Sequence, residues 1–252
     1  KSHLLECLYY LGEKDKFYKH YKELIANNII NPLISSIGSH ASIRFGVSNK
    51  ENPFCSDPFA YIKKENISDA NELNEDLISS ILKFHNSGES DPKSQPLLSN
   101  GKQSSGNIFL NQREDIQKLK EILNKKVNNY LMEFGKSNEG FIKKWPEKYN
   151  IYGWLVSINT GGSLAAHIHK EGWLSGSLYF KMPTKKTNHE GNIVFSYNGA
   201  NYPTDGKEFH EKPVDVNKGD LVLFPSSLFH HTIPFKSTEE RVTFAFDIIP
   251  QN

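Results

Sequence analysis

DLVLFPSSLFHHTIPFKSTEERVTFAFDII, residues 220–249, carries three short runs rich in β-branched and aromatic residues, separated by clusters of Pro, Ser, Lys and Glu, with no helical spacing anywhere in it. Runs of this length and composition between turn residues read as strands, here 220–224, 230–235 and 241–249. The same grammar extends upstream to about Lys148 and adds strand candidates at 151–159, 163–169, 174–181 and 192–197. Seven or eight short strands joined by tight turns predict a sandwich or a barrel with its core at about 150–250.

Before residue 148 the pattern is helical. Ile116, Leu119, Leu123, Val127, Tyr130, Leu131 and Phe134 mark one face of a helix that Gly135 can end, and Asn111 with Glu114 three positions on has the form of a capping box. This helix is expected to cover one outer face of the β domain. A shorter helix is expected at 72–86. The stretch 88–106 is rich in Ser, Gly, Pro and Asn without period and reads as a long loop, of which Gln103 to Phe109 is a candidate lid. Prolines 53 and 58 break the chain near residue 55. Upstream of them, apolar residues recur at helical spacing from Leu4 to about Ile37 and again over 32–45, a helical hairpin with a third helix that resembles the end of a helical repeat array. The expected organisation is α+β, with a helical region at 1–55 packed on a β domain with supporting helices at 56–252.

Thirty basic residues against twenty-nine acidic ones give no electrostatic footprint of a nucleic-acid binder. Cys7 and Cys55 follow no metal-ligand spacing and read as free thiols. No stretch approaches the length of a membrane span and the N-terminus lacks the order of a signal peptide, so a cytoplasmic location without a membrane partner is expected. The first residue is Lys1, which fits a piece of a longer chain.

The chemistry is signalled by histidine. His167 and His169 lie two apart on a strand candidate, where alternate residues share a face, and His230 and His231 lie together beside another. A lone H-x-H is more often two unrelated histidines than a metal site. The segment from Phe224 to Phe235, followed by Glu240-Arg241-Val242-Thr243, adds specificity. It resembles the distal half of the 2-oxoglutarate oxygenase signature, a histidine ligand followed about ten residues later by Arg-x-Ser/Thr. His167-Ile168-His169 followed by Trp173-Leu174-Ser175-Gly176-Ser177-Leu178-Tyr179 resembles the H-x-H…L-S-G-x-Y-Y stretch of the bacterial and phage branch described as 2OG-Fe(II) oxygenases, some of which carry an N-terminal tetratricopeptide-like (TPR-like) region.

The resemblance implies a double-stranded β-helix, a jelly-roll or cupin-like fold. It implies Fe(II) held by His167, His169 and His230, 2-oxoglutarate anchored by Arg241 and Thr243, and O₂ as oxidant, with hydroxylation of a peptide, protein or amino-acid-like substrate and release of succinate and CO₂. An arginine suits the distal carboxylate because its planar fork donates two charge-assisted hydrogen bonds in one orientation. His169 stands where the usual two-histidine, one-carboxylate triad has an acid, so Glu171 is the fallback ligand and iron held by two histidines alone is a third possibility. Trp154, Asn159, Ser175 and Gln103 are candidate pocket residues. Tyr179 either bonds 2-oxoglutarate or is a satisfied barrel tyrosine. A cupin-type metalloenzyme that does not use 2-oxoglutarate and a catalytically inactive binding module are the rival readings.

Overall fold

The structure, a computed structural model, describes residues 2–48, 51–68 and 73–251. Three helices open it: α1 (Ser2–Tyr10), α2 (Lys14–Ala26) and α3 (Pro32–Phe45). Local chemistry sets the ends of the third. The Asn31 side chain caps it by accepting from the Ile34 amide at 3.0 Å, Pro32 begins it, and Gly46 ends it in the left-handed region with φ 66°. Leu5, Tyr9, Phe17 and Leu24 bury their apolar faces with Leu33, Ile34 and Ile37 in a cluster that also takes in Tyr202 and Phe229 of the β domain.

After the helices come strand β1 (Lys63–Asn66), helix α4 (Glu75–Asn86), strand β2 (Leu98–Gln103), helix α5 (Glu114–Phe134) and the short helix α6 (Gly140–Lys143). The remaining strands are β3 (Tyr149–Leu164), β4 (Leu174–Lys181), β5 (Ile193–Ser196), β6 (Glu211–Val214), β7 (Asp220–Pro225), β8 (Phe229–Thr232) and β9 (Arg241–Pro250). They form a six-stranded antiparallel sheet in the order β1-β7-β4-β9-β3-β2 and a three-stranded one in the order β6-β5-β8.

Alternation along β9 divides the two sides of the large sheet. Val242, Phe244, Phe246 and Ile248 join the main core, where Ile116, Leu119, Leu123, Val127 and Tyr130 of α5 pack against them. Arg241, Thr243, Ala245 and Asp247 face the other way, towards the small sheet. Gly176 of β4 permits close packing here, since a Cβ on it would lie 2.3 Å from the Phe246 ring. Among the described residues no helix is long and apolar enough to cross a membrane.

Several expectations are corrected. The stretch 88–106 is not one long loop, because β2 occupies its end and pairs with β3. Gln103 to Phe109 is no lid: the Ser104 amide donates to Leu155 O at 2.9 Å and Phe109 is buried against Phe244. The capping box does not form, since Asn111 Oδ1 accepts from the Arg113 amide at 3.0 Å and α5 starts after Arg113. The shorter helix begins at Glu75 behind an Asn74 cap, and residue 72 of its expected span lies outside the described residues. The strand expected at 163–169 is absent, because β3 runs unbroken to Leu164 and the chain then leaves the sheet.

Candidate active site

Two chain segments bring the three histidines together. His167 lies outside any strand, yet its backbone exchanges both hydrogen bonds with His230 of β8, at 3.1 and 3.0 Å, and the His169 amide donates to Ser226 O at 3.3 Å. Ile168, between them, turns away to pack on the N-terminal helical cluster. One nitrogen from each of His167, His169 and His230 lies within 4.8 Å of the others, the one such group among the described residues. His167 and His169 approach with Nε2 atoms 3.2 Å apart.

The ring hydrogen bonds decide which nitrogens are free. His167 Nδ1 donates to Ala165 O at 2.8 Å, His230 Nδ1 to Leu228 O at 3.2 Å, and His169 Nδ1 to Asp247 Oδ1 at 2.6 Å. With Nδ1 protonated on each ring, the Nε2 lone pairs remain, the arrangement seen where an outer partner sets the tautomer of a metal-ligating histidine. Burial, with His169 beside it, pushes His167 down to about 4, and burial with its two histidine neighbours holds His230 well below its usual range. Both rings are therefore neutral donors at physiological pH.

The histidines share a cavity of about 250 Å³ with Arg241 and Thr243, walled also by Trp154, Val156, Leu164, Ala245 and Gln103. Arg241 is 3 % exposed, with Nε donating to Gly191 O at 3.0 Å and a terminal nitrogen to Thr243 Oγ1 at 2.9 Å. No carboxylate pairs with it among the described residues. Burial pulls its pKa down. A guanidinium removed from water without a counter-charge costs several kcal/mol, on the order expected for an unpaired buried ion, so the site is short of one anion. Tyr179 lies behind the cavity wall with the Arg241 guanidinium 5.0 Å from its ring centroid. Its hydroxyl is buried beside the Arg241 guanidinium and Ser177 without a well-formed hydrogen bond, and burial raises it to about 12. Three lone pairs that suit a divalent cation, and a buried guanidinium without an anion beside a weakly bonded hydroxyl that suit a carboxylate, fit an iron ion with 2-oxoglutarate.

Other candidates fall elsewhere. Glu171 is exposed in a turn and outside the histidine group. Asn159 is exposed, at a position of opposite parity to Trp154 and Val156 on β3. Ser175 stands behind His169 rather than on the cavity wall, with Oγ 3.0 Å from Nδ1. His231 faces away from the trio and is half-buried in a neighbouring groove with Ala200 and Glu211. Sequence reasoning misses Asp247, Ser177, Thr232 and Ile193. An acid within the apolar run FAFDII was the available signal for the first.

Residues 152–247 match the model of a family described as "Putative 2OG-Fe(II) oxygenase". No curated protein matches the chain. Among solved structures, a Pseudomonas putida prolyl-4-hydroxylase is similar with TM-score 0.51 and 13 % identity, over 76 % of this chain and 93 % of that one. HygX of Streptomyces hygroscopicus, with nickel and 2-oxoglutarate bound, is similar with TM-score 0.52 and 12 % identity over 75 % and 83 %. A Trichoplax adhaerens prolyl hydroxylase in complex with a hypoxia inducible factor peptide fragment is similar with TM-score 0.51 and 13 % identity over 84 % and 90 %. These neighbours share the double-stranded β-helix fold. The sequence match spans the cavity strands from β3 to β9, so the part of the chain that carries the histidines and Arg241 is similar to the 2OG-Fe(II) oxygenase family, on a fold shared with these solved structures.

Proposed function

We propose that His167, His169 and His230 hold the iron, that Arg241, Thr243 and the Tyr179 hydroxyl receive the distal carboxylate of 2-oxoglutarate, and that the enzyme hydroxylates a peptide, protein or amino-acid-like substrate. The observation that carries this reading is the presence, on one small cavity, of three convergent imidazoles and a buried arginine without an acid. When bound, iron and 2-oxoglutarate supply the oxidative decarboxylation that yields succinate, CO₂ and hydroxylated product. The chain orients both: the Nδ1 hydrogen bonds fix the rings, Gly191 and Thr243 fix the guanidinium, and Trp154, Val156 and Leu164 keep water from the cavity wall.

Two assays test this. Succinate release should require Fe(II), 2-oxoglutarate and O₂ together, and should be lost in His230→Ala and reduced in Arg241→Ala. Anaerobic Fe(II) with 2-oxoglutarate should give a weak visible charge-transfer band. A cupin that does not use 2-oxoglutarate would bind metal without the band, and an inactive binding module would release no succinate; either result overturns the proposal.

The family branch with H-x-H…L-S-G-x-Y-Y is the one we assign, since His167, His169, Leu174, Ser175, Gly176 and Tyr179 supply its residues, with Leu178 in the place of the first tyrosine. The helical part to about residue 55 reads as a TPR-like region docked on the β domain, supported by a core cluster distinct from the main one. Concave helical arrays bind extended chains, and the fold neighbour from Trichoplax adhaerens holds a peptide; both favour a peptide or protein substrate.

A further inference from the structure

Three neutral imidazoles leave both charges of a divalent cation uncompensated, whereas the usual triad neutralises one of them with a carboxylate ligand. One carboxylate stands behind the site, in contact with a histidine of the set rather than on the cavity. Asp247, at the far end of the cavity-facing row of β9, is 6 % exposed, and its Oδ1 accepts from His169 Nδ1 at 2.6 Å and from Ser175 Oγ at 2.7 Å. Ser175 Oγ is held in turn 2.8 Å from Ser226 Oγ. Among the described residues no lysine or arginine pairs with Asp247; His169 is its one ion-pair partner. The backbone closes over this pair at Gly172, where a Cβ would lie 2.7 Å from Ser226 Oγ and 3.1 Å from the Asp247 carboxyl carbon. A carboxylate buried so tightly, with no permanent cation, is a cost to the empty protein. That cost is recovered where a metal ion polarises the ring between them.

Resting on the metal-site reading above, we infer that Asp247 is a positioning residue that supplies, through His169, the negative charge the three-histidine set lacks. His169 thereby takes the electrostatic place of the carboxylate ligand. Ser175 and Ser226 keep the acceptor oxygen aimed at Nδ1, so that His169 presents Nε2 and no other tautomer. The position has no use for bulk at Gly172 and no use for a neutral acceptor at 247.

The test is a Co(II) titration of the full chain with Asp247→Asn, which keeps the size and one acceptor oxygen but not the charge. Loss of an outer partner of a metal ligand weakens metal binding by about 10- to 100-fold, and that loss is expected here, with a shift of the Co(II) visible bands. The melting temperature of the metal-free variant is expected to stay or rise, because a buried charge has been removed; a merely structural role would lower stability and affinity together. Asp247→Asn binding Co(II) as tightly as the unsubstituted protein overturns the inference. Should the variant not fold, nitrogen NMR of the Zn(II)-loaded unsubstituted protein decides: His169 is expected Nδ1-protonated, with a downfield ring proton, and metallated at Nε2. Metallation at Nδ1 overturns the inference while leaving the metal site standing. Failure of the unsubstituted protein to bind Co(II) overturns the metal-site reading and this inference with it.

Discussion

Tyr179 condenses the co-substrate question into one oxygen atom. Its hydroxyl is buried without a well-formed hydrogen bond, beside a guanidinium that lacks an anion. An unsatisfied buried hydroxyl costs about 1–3 kcal/mol, so Tyr179→Phe should leave the ligand-free protein as stable as before or more so by urea unfolding. If the hydroxyl donates to a bound carboxylate, the same substitution should weaken 2-oxoglutarate binding by roughly 3- to 10-fold, the size of one ordinary hydrogen bond. A loss of stability with unchanged 2-oxoglutarate affinity would show Tyr179 to be a packing residue. At this scale the sequence is partly legible. His167, His169, His230, Arg241 and Thr243 are visible as spacing and motif, and all five reach the same cavity. The strand argument for the H-x-H pair is wrong in its premise, since His167 is held by an isolated bridge to β8 and His169 by a bond to Ser226 O, and neither by a strand of its own. Asp247 goes unseen because a single acid in an apolar run declares burial without declaring its partner, which lies 78 positions upstream.

The elements tell a complementary story. Strands β4, β7 and β9 are recognisable from composition because both of their faces are buried, and β-branched or aromatic residues fill them. The three strands that composition does not reveal are β1 (KKEN), β2 (LSNGKQ) and β6 (EKPV), and each lies at an edge of its sheet. Edge strands carry lysine, proline and other polar residues that discourage pairing with a further chain. Their membership is set by the neighbour's free backbone groups, which no local pattern encodes. Interior pairing is correspondingly intolerant. Gly176→Ala, which drives a methyl group into the Phe246 ring, should destabilise the protein by about 1–3 kcal/mol in urea unfolding, as overpacking does. An unchanged unfolding midpoint would mean that the sheet and α5 are less tightly joined than their geometry indicates.

In the whole molecule the helices and the β domain meet through polar as well as apolar contacts. Tyr10 donates to Ala200 O at 2.7 Å, Arg44 pairs with Asp205 at 2.7 Å, and His40 Nε2 lies 3.1 Å from Asn198 Oδ1. Burial pushes His40 from its ordinary 6.5 down to about 4. The folded protein therefore resists protonation that the unfolded chain accepts. Stability contributed by neutral His40 is complete above about pH 6.5 and lost as pH falls towards about 4, by roughly 1–3 kcal/mol. His40→Gln should flatten that part of the stability profile measured by thermal melting; a slope identical to the unsubstituted protein's would assign it to other groups.

Ile168 separates two of the proposed metal-binding histidines, and Phe229 immediately precedes the third; both are seated in the helical cluster. Those two greasy pegs mean that the catalytic half is not a portable cassette. Cutting the gene so that translation begins near residue 55 would strip the sockets from both pegs at once, and the shortened product should take up Co(II) poorly even where its circular dichroism still reports intact strands.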